Sequence, residues 1–83
     1  MKVYSEWDDN TRTVIHTTHE RDWTWAELHR HDEMVLTQML SEVSHPVSII
    51  VDMLNSPYFP AESFAEHIRR NSETYTRLNI QMV

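Results

Sequence analysis

Apolar and polar positions along the chain fall into segments of two periods. Val3 to Trp7 and Arg12 to Thr18 are β-prone runs separated by the polar tetrad Asp8-Asp9-Asn10-Thr11. The tetrad suits a short hairpin turn, with Asn10 the residue best able to take a left-handed backbone. In the second run Val14, His16 and Thr18 point to one side and Ile15, Thr17 and His19 to the other, the mixed alternation of a partly covered strand.

The period then changes. Thr24-Trp25-Ala26-Glu27 is a capping-box pattern, with Trp23 and Leu28 at staple positions on either side of it. A helix is predicted from there to Val43 or Ser44, stopped by His45-Pro46, because the residue before proline disfavours the α region. At helical spacing Trp25, Leu28, Val35, Leu36, Met39, Leu40 and Val43 form one wide apolar stripe. Val47 to Leu54 is a nearly continuous apolar, β-branched run, the pattern of a central strand covered on both faces.

Asn55-Ser56-Pro57-Tyr58-Phe59-Pro60 breaks that run. A second helix, Ala61 to Tyr75, would turn Ala61, Phe64, Ala65, Ile68, Ser72 and Tyr75 inward, its small residues allowing a close approach to a sheet. Outward it carries the charge pairs Glu66–Arg70 and Arg69–Glu73. Leu78 to Val83 alternates again and reads as a last strand.

The order is β-β-α-β-α-β, an α/β domain over residues 1–83 with a four-stranded mixed sheet and two amphipathic helices. Right-handed crossovers make the last three strands parallel and leave the first antiparallel to the second. A chain that stops at its fourth strand leaves an apolar edge, which favours self-association or pairing with another chain.

Composition narrows the function classes. Thirteen acidic residues against seven basic ones give a net charge of −6 with histidines neutral, the opposite of the basic stripe of a nucleic-acid binder. Six histidines make that charge strongly dependent on pH. No cysteine is present, so thiolate metal sites, disulfides and cysteine nucleophiles fall away. Nor is there any glycine, where average usage near 7% predicts about six. Dinucleotide fingerprints, P-loops and nucleophile elbows all need glycine backbone, so most nucleotide-handling and acyl-transfer chemistry is disfavoured. No signal peptide or membrane span is read, and a cytoplasmic location is expected.

Several residues carry candidate chemistry. Asp32 falls in the middle of the first helix's apolar stripe, between Trp25, Leu28 and Leu36. A carboxylate there must be paired, protonated or at an interface, since unpaired burial costs several kcal/mol. His29, three residues earlier, is its obvious local partner, and the two define a possible pocket; the plainer alternative is a carboxylate bonded to a strand residue or reaching solvent past the sheet edge. Of the histidines, His16 and His19 face opposite ways on a strand and His29 and His31 diverge on a helix. Only His29 with Glu33 has ligand-like spacing, without a third ligand nearby, so no metal and no cofactor is expected. Asp52, Asn55, Ser56 and Tyr58 lie at the carboxyl end of a parallel strand, where open α/β sheets place their sites, with Glu62 and Ser63 at the mouth of the following helix. They read either as turn-forming residues or as a docking loop for a partner. Trp7, Trp23 and Trp25 suit the rim of a core, and Met34, on the polar side of the first helix, would mark a contact with another chain.

Together the Asp22-Trp23-Thr24-Trp25-Ala26-Glu27 helix start, the stretch Ile49-Ile50-Val51-Asp52-Met53-Leu54-Asn55-Ser56 and the proline-containing loop before the second helix resemble the SpoIIAA-like, or STAS, fold of anti-sigma-factor antagonists. The resemblance spans essentially the whole chain. A domain of that family continues with a further helix, strand and helix, so the chain is expected to be a short or truncated relative.

What the resemblance implies is regulation by docking on a protein partner, an anti-sigma-type regulator or a kinase, without catalysis, membrane or nucleic acid. Asp52 matches the family's strand-end aspartate. The phospho-acceptor serine at the start of the second helix does not carry over, because Pro60-Ala61-Glu62 stands there; Ser56 and Ser63 are the only nearby substitutes. The alternative function is a small-molecule or lipid carrier with an enclosed pocket lined by Leu28, Asp32 and Leu36.

Overall fold

A computed structural model describes residues 2–56 and 58–82. Pro57, expected to shape the loop, and Val83, expected to end the last strand, lie outside the described residues. The elements are β1 (Val3–Trp7), β2 (Val14–His19), α1 (Trp25–His31), a π-helical segment (Asp32–Leu36), α2 (Thr37–Leu40), β3 (Val47–Asp52), α3 (Phe64–Arg77) and β4 (Ile80–Met82). The sheet order is β1-β2-β3-β4, with β1 antiparallel to β2 and the other pairs parallel. The chain is thus α/β with a four-stranded mixed sheet, the first helix running on through its π segment into α2.

The hairpin closes differently from its expected form. Asp9, not Asn10, organises it. Its carboxylate accepts from the backbone N–H groups of Thr13 (2.9 Å) and Val14 (3.2 Å) and from the hydroxyls of Thr11 and Thr13. Those bonds hold its own carboxyl far below the usual carboxylate range, the Thr13 and Thr11 hydroxyls most of all. With the amides at 13 and 14 taken, β2 begins at Val14 rather than Arg12, and Arg12 (φ 56°) supplies the left-handed residue.

The capping box at Thr24 forms as expected, with the Glu27 N–H on the Thr24 hydroxyl and the Glu27 carboxylate on the Thr24 N–H, each at 3.2 Å. Trp23 and Leu28 join one apolar cluster, as a staple requires. The helical run ends at Leu40, short of Val43, because the Ser41 hydroxyl takes the Gln38 carbonyl (2.6 Å) and the chain leaves in tight turns. The π segment has no signal in the periodicity. It widens one turn so that the consecutive residues His31 and Asp32 both point into the core.

Both helical layers lie on one face of the sheet, contrary to the expectation of a doubly covered β3. The strand order steps the same way at each crossover, so crossovers of one hand deliver both helices to one side. Val47 and Ile49 are buried there, while Ile50 faces out. The open face carries His16 between Asp52 (3.0 Å) and Asp8 (3.6 Å), and Tyr4 donating to Glu20 (2.9 Å).

The second helix begins at Phe64 rather than Ala61 and is turned about its axis from the predicted orientation. Asn71 and Tyr75 are buried and His67, Ile68 and Leu78 half-buried, whereas Ala61, Phe64, Ala65 and Ser72 are exposed. Polar pairing with the first helix sets this orientation, described below. Arg70 likewise reaches Glu33 of the π segment (2.8 Å) instead of Glu66. Asn79 (φ 59°) closes α3 in the left-handed cap that asparagine tolerates.

Ser63 (φ 53°, ψ 37°) precedes α3 in the same left-handed region without a capping bond from its side chain. A side chain with a Cβ is strained there, so Ser63→Gly is expected to raise stability by about 0.5–1 kcal/mol. A higher urea midpoint at unchanged slope is the result that checks it. No helix among the described residues is long and apolar enough to cross a membrane.

Candidate functional site

The core divides into two apolar clusters. One gathers Ile15, Leu36, Val47, Ile49, Tyr75 and Ile80; the other gathers Val3, Trp23, Trp25 and Leu28. Between them runs a layer of polar side chains, one or two from each packed element. On the sheet Ser5 and Thr17 are register partners, between the Trp7–Ile15 and Val3–His19 pairs. On the first helix His31 and Asp32 stand between Leu28 and Leu36, and on α3 Asn71 stands between Ile68 and Tyr75.

These residues form a continuous chain of hydrogen bonds. Thr17 Oγ1 and Ser5 Oγ are 2.6 Å apart, Ser5 Oγ and His31 Nε2 2.7 Å, His31 Nδ1 and Asp32 Oδ1 3.2 Å, and Asn71 Nδ2 donates to Asp32 Oδ2 at 2.7 Å. One direction of donation satisfies every link: Thr17 to Ser5, Ser5 to His31, His31 to Asp32, with Asn71 closing the far end. Asp32, at 1% exposure, is therefore paired, by His31 and Asn71 and not by the expected His29. Its charge and, above all, burial push the Tyr75 hydroxyl far above its ordinary range.

The order serine–histidine–carboxylate has the connectivity of a nucleophilic triad. Its surroundings are those of a packed core. His31 and Asp32 are sealed, Ser5 Oγ is shared with Thr17, and four grooves of the described surface are lined by other residues. Leu28 and Leu36 are buried as well, so the grooves do not coincide with the expected carrier pocket.

A second arrangement lies where α1 meets the start of α3. His29 Nε2 and His67 Nδ1 are 2.8 Å apart, with ring centroids separated by 5.0 Å, so the rings meet nitrogen to nitrogen. The Trp25 indole lies nearly parallel to His67 (4.9 Å, 11°) and to Phe59 (6.1 Å, 20°), and its N–H donates to the Pro60 carbonyl at 2.9 Å. Burial, then the charges of Arg70 and His67, hold the His29 imidazole below its ordinary range. Glu33 is drawn to Arg70 rather than to His29, and among the described residues no three His, Asp or Glu side chains converge as a metal would need.

The predicted docking residues lie along the connection from β3 to α3. Asp52 accepts from the Leu54 N–H (2.9 Å) and pairs with His16; these two interactions, the first foremost, lower its carboxyl. Asn55 reaches Glu20 at 3.4 Å, and Ser56, whose N–H bonds the Met53 carbonyl, is buried. These three shape the turn. Tyr58, Glu62 and Ser63 are exposed, and with them Leu54 and Phe59, and also Phe64, contrary to its expected inward position. Leu54 is 90% and Tyr58 82% exposed. Tyr58 and Phe59 wall a groove floored by Trp23.

Ser5, His31, His67 and Asn71 were also missed. Asn71 alone had a usable signal: it sits at helical spacing between Ile68 and Tyr75, where a donor for a buried carboxylate belongs. No family model matches this chain, and searches of the curated proteins and of the solved structures return no match.

Proposed function

We propose that this chain is a regulatory protein–protein interaction module of STAS-like type, working through the β3–α3 connection and without catalysis. One observation carries the reading: Leu54, Tyr58, Phe59 and Phe64, four of the seven large apolar side chains exposed among the described residues, gather around a single connection, while Tyr4, Met34 and Ile50 are exposed elsewhere. Exposed apolar surface of this kind marks association sites. It lies at the carboxyl end of a parallel strand, where the resemblance also puts the docking surface. The turn beneath it is held by Asp52 and Ser56, so the apolar residues ride on a shaped support.

The partner most directly testable is a second copy, since β4 also stands at an edge of the described sheet. Sedimentation of the chain is expected to show dimers or larger species at micromolar concentration. Leu54→Ser with Tyr58→Ser, both exposed and neutral to the core, is expected to weaken association at least about tenfold, equivalent to about 1.4 kcal/mol. A native chain that stays monomeric to about 100 μM, roughly the weak limit of specific pairing, overturns the self-association reading.

A further inference from the structure

The seam between α1 and α3 holds two buried or half-buried histidines that the docking surface does not use. Two imidazoles joined nitrogen to nitrogen at 2.8 Å hold one proton between them: one ring donates and the other must offer a lone pair. A first added proton goes to a distal nitrogen and leaves that bond intact. A second puts N–H against N–H and charge against charge, so the bond cannot survive it. We propose that His29 and His67 form a proton-operated latch, which holds the start of α3 and the Pro60 segment on α1 at neutral pH and releases them in mild acid.

The surroundings make the latch consequential. Facing the pair are Arg30, Asp32 and Glu33 from the first helix and its π segment, Arg70 from α3, and Glu62 from the connection. Arg70 opposes protonation while Asp32 and Glu33 favour it, and burial tips the balance against a second charge. The two steps belong to the pair rather than to either ring. Opening lies to the acid side of the ordinary histidine value, the direction in which burial and Arg70 move His29.

What moves is set by the contacts. The indole of Trp25 lies along the His67 ring and is tied by its N–H to the Pro60 carbonyl, so parting the rings loosens both the first turn of α3 and the loop before it. Ser63, left-handed and without a capping bond from its side chain, stands at that start, so the first turn of α3 has no side-chain cap to hold it. That release would alter docking only if the interaction reading above holds; the latch itself does not depend on it.

Hydrogen exchange and ring-nitrogen resonances on the full chain, labelled with ¹⁵N, test the proposal at pH 7.5 and pH 5. At pH 7.5 one proton is expected between His29 Nε2 and His67 Nδ1, and at pH 5 one on each. Amides of residues 61–67 are expected to exchange roughly tenfold faster or more at pH 5, after correction for intrinsic rates, both in the native chain and in His19→Phe. That variant lacks the global titration of His19, and in it Ile15 and Ile49 are expected to be accelerated less than 61–67. His29→Gln places an amide where Nε2 sits, able to donate or accept, and is expected to abolish the acceleration. Unchanged protection of 61–67 in the native chain overturns the latch, as does equal acceleration in His29→Gln, or acceleration in His19→Phe no greater than that of Ile15 and Ile49. Sedimentation reports on docking separately, so failure of one reading is not failure of the other.

Discussion

Asp32→Ala is expected to cost about 2–6 kcal/mol, the sum over the two buried donors that it leaves without an acceptor. The substitution strips acceptors from two buried donors at once, the His31 Nδ1–H and the Asn71 amide, each worth about 1–3 kcal/mol when left unsatisfied. Against a total stability of about 5–15 kcal/mol for a domain, and nearer the low end for one this small, most of the folded population would be lost at 37 °C. Asn71→Ala removes one donor and leaves Asp32 with His31, so its cost should be smaller. The double variant should lose less than the sum, by about 0.5–3 kcal/mol, because the two residues share one bond. Urea unfolding of the four proteins measures all of this. Strict additivity would show that Asp32 and Asn71 do not interact, and the polar layer would have to be redrawn.

Lowering the pH from about 6.5 to 4 is expected to remove up to about 3 kcal/mol of stability through His19 alone. This histidine is buried beside the edge of Trp23 (4.5 Å), its Nδ1 has no hydrogen-bond partner, and burial, followed by His31, pulls it down to about 4. The unfolded chain therefore binds a proton near pH 6.5 that the folded chain refuses until about pH 4. Between those values the unfolded state holds more protons, so stability rises with pH and falls as pH drops. The depressed carboxylates of Asp9 and Asp52 add a small loss at the acid end of this window, and most of theirs comes below their ordinary value of 3.8. His19→Phe keeps the edge-on aromatic contact and removes both the orphan nitrogen and the titration. Its unfolding free energy should vary less steeply than that of the native chain across that interval, the depressed His29 leaving a residual slope. A native chain no steeper than His19→Phe would mean that water or a neighbour reaches His19 Nδ1. Unlike the His29–His67 latch, this effect acts on global unfolding, and Ile15 and Ile49 would report it.

Much of the architecture was legible because its signals are local. The Thr24–Glu27 box and the Trp23–Leu28 staple involve neighbours a few residues apart, and they form as read. The element order and the strand directions follow from periodicity and the handedness of crossovers. Errors gathered where a distant group competes for a local one. The hairpin's left-handed residue moved from Asn10 to Arg12 because Asp9 captured amides four and five residues on. α3 turned away from its predicted face because His67 and Asn71 met partners on the first helix.

The candidate site divides in the same way. Asp32 was recognisable as a problem from its place in an apolar stripe. Its solution was not, because His31 reaches it only through a π turn that no 3.6-residue pattern announces, and Asn71 lies 39 residues away. The stretch expected to dock a partner divides in the structure: Asp52, Asn55 and Ser56 hold its turn, while Leu54, Tyr58, Phe59 and Phe64 stand exposed along it. Exposure depends on what packs above a residue, and hydrophobicity alone assigns the wrong side.

By itself the sequence determined an acidic α/β chain without glycine or cysteine, its strand directions, its first helix start and one carboxylate that needed a partner. Only the tertiary structure decided that both helices share one sheet face, that the core is split by a Thr17–Ser5–His31–Asp32–Asn71 layer, and that two histidines from different helices meet. The reason is range. Backbone propensity and periodicity act over a few residues, whereas a buried polar atom takes whichever partner the packing of distant segments brings within 3 Å or so of it.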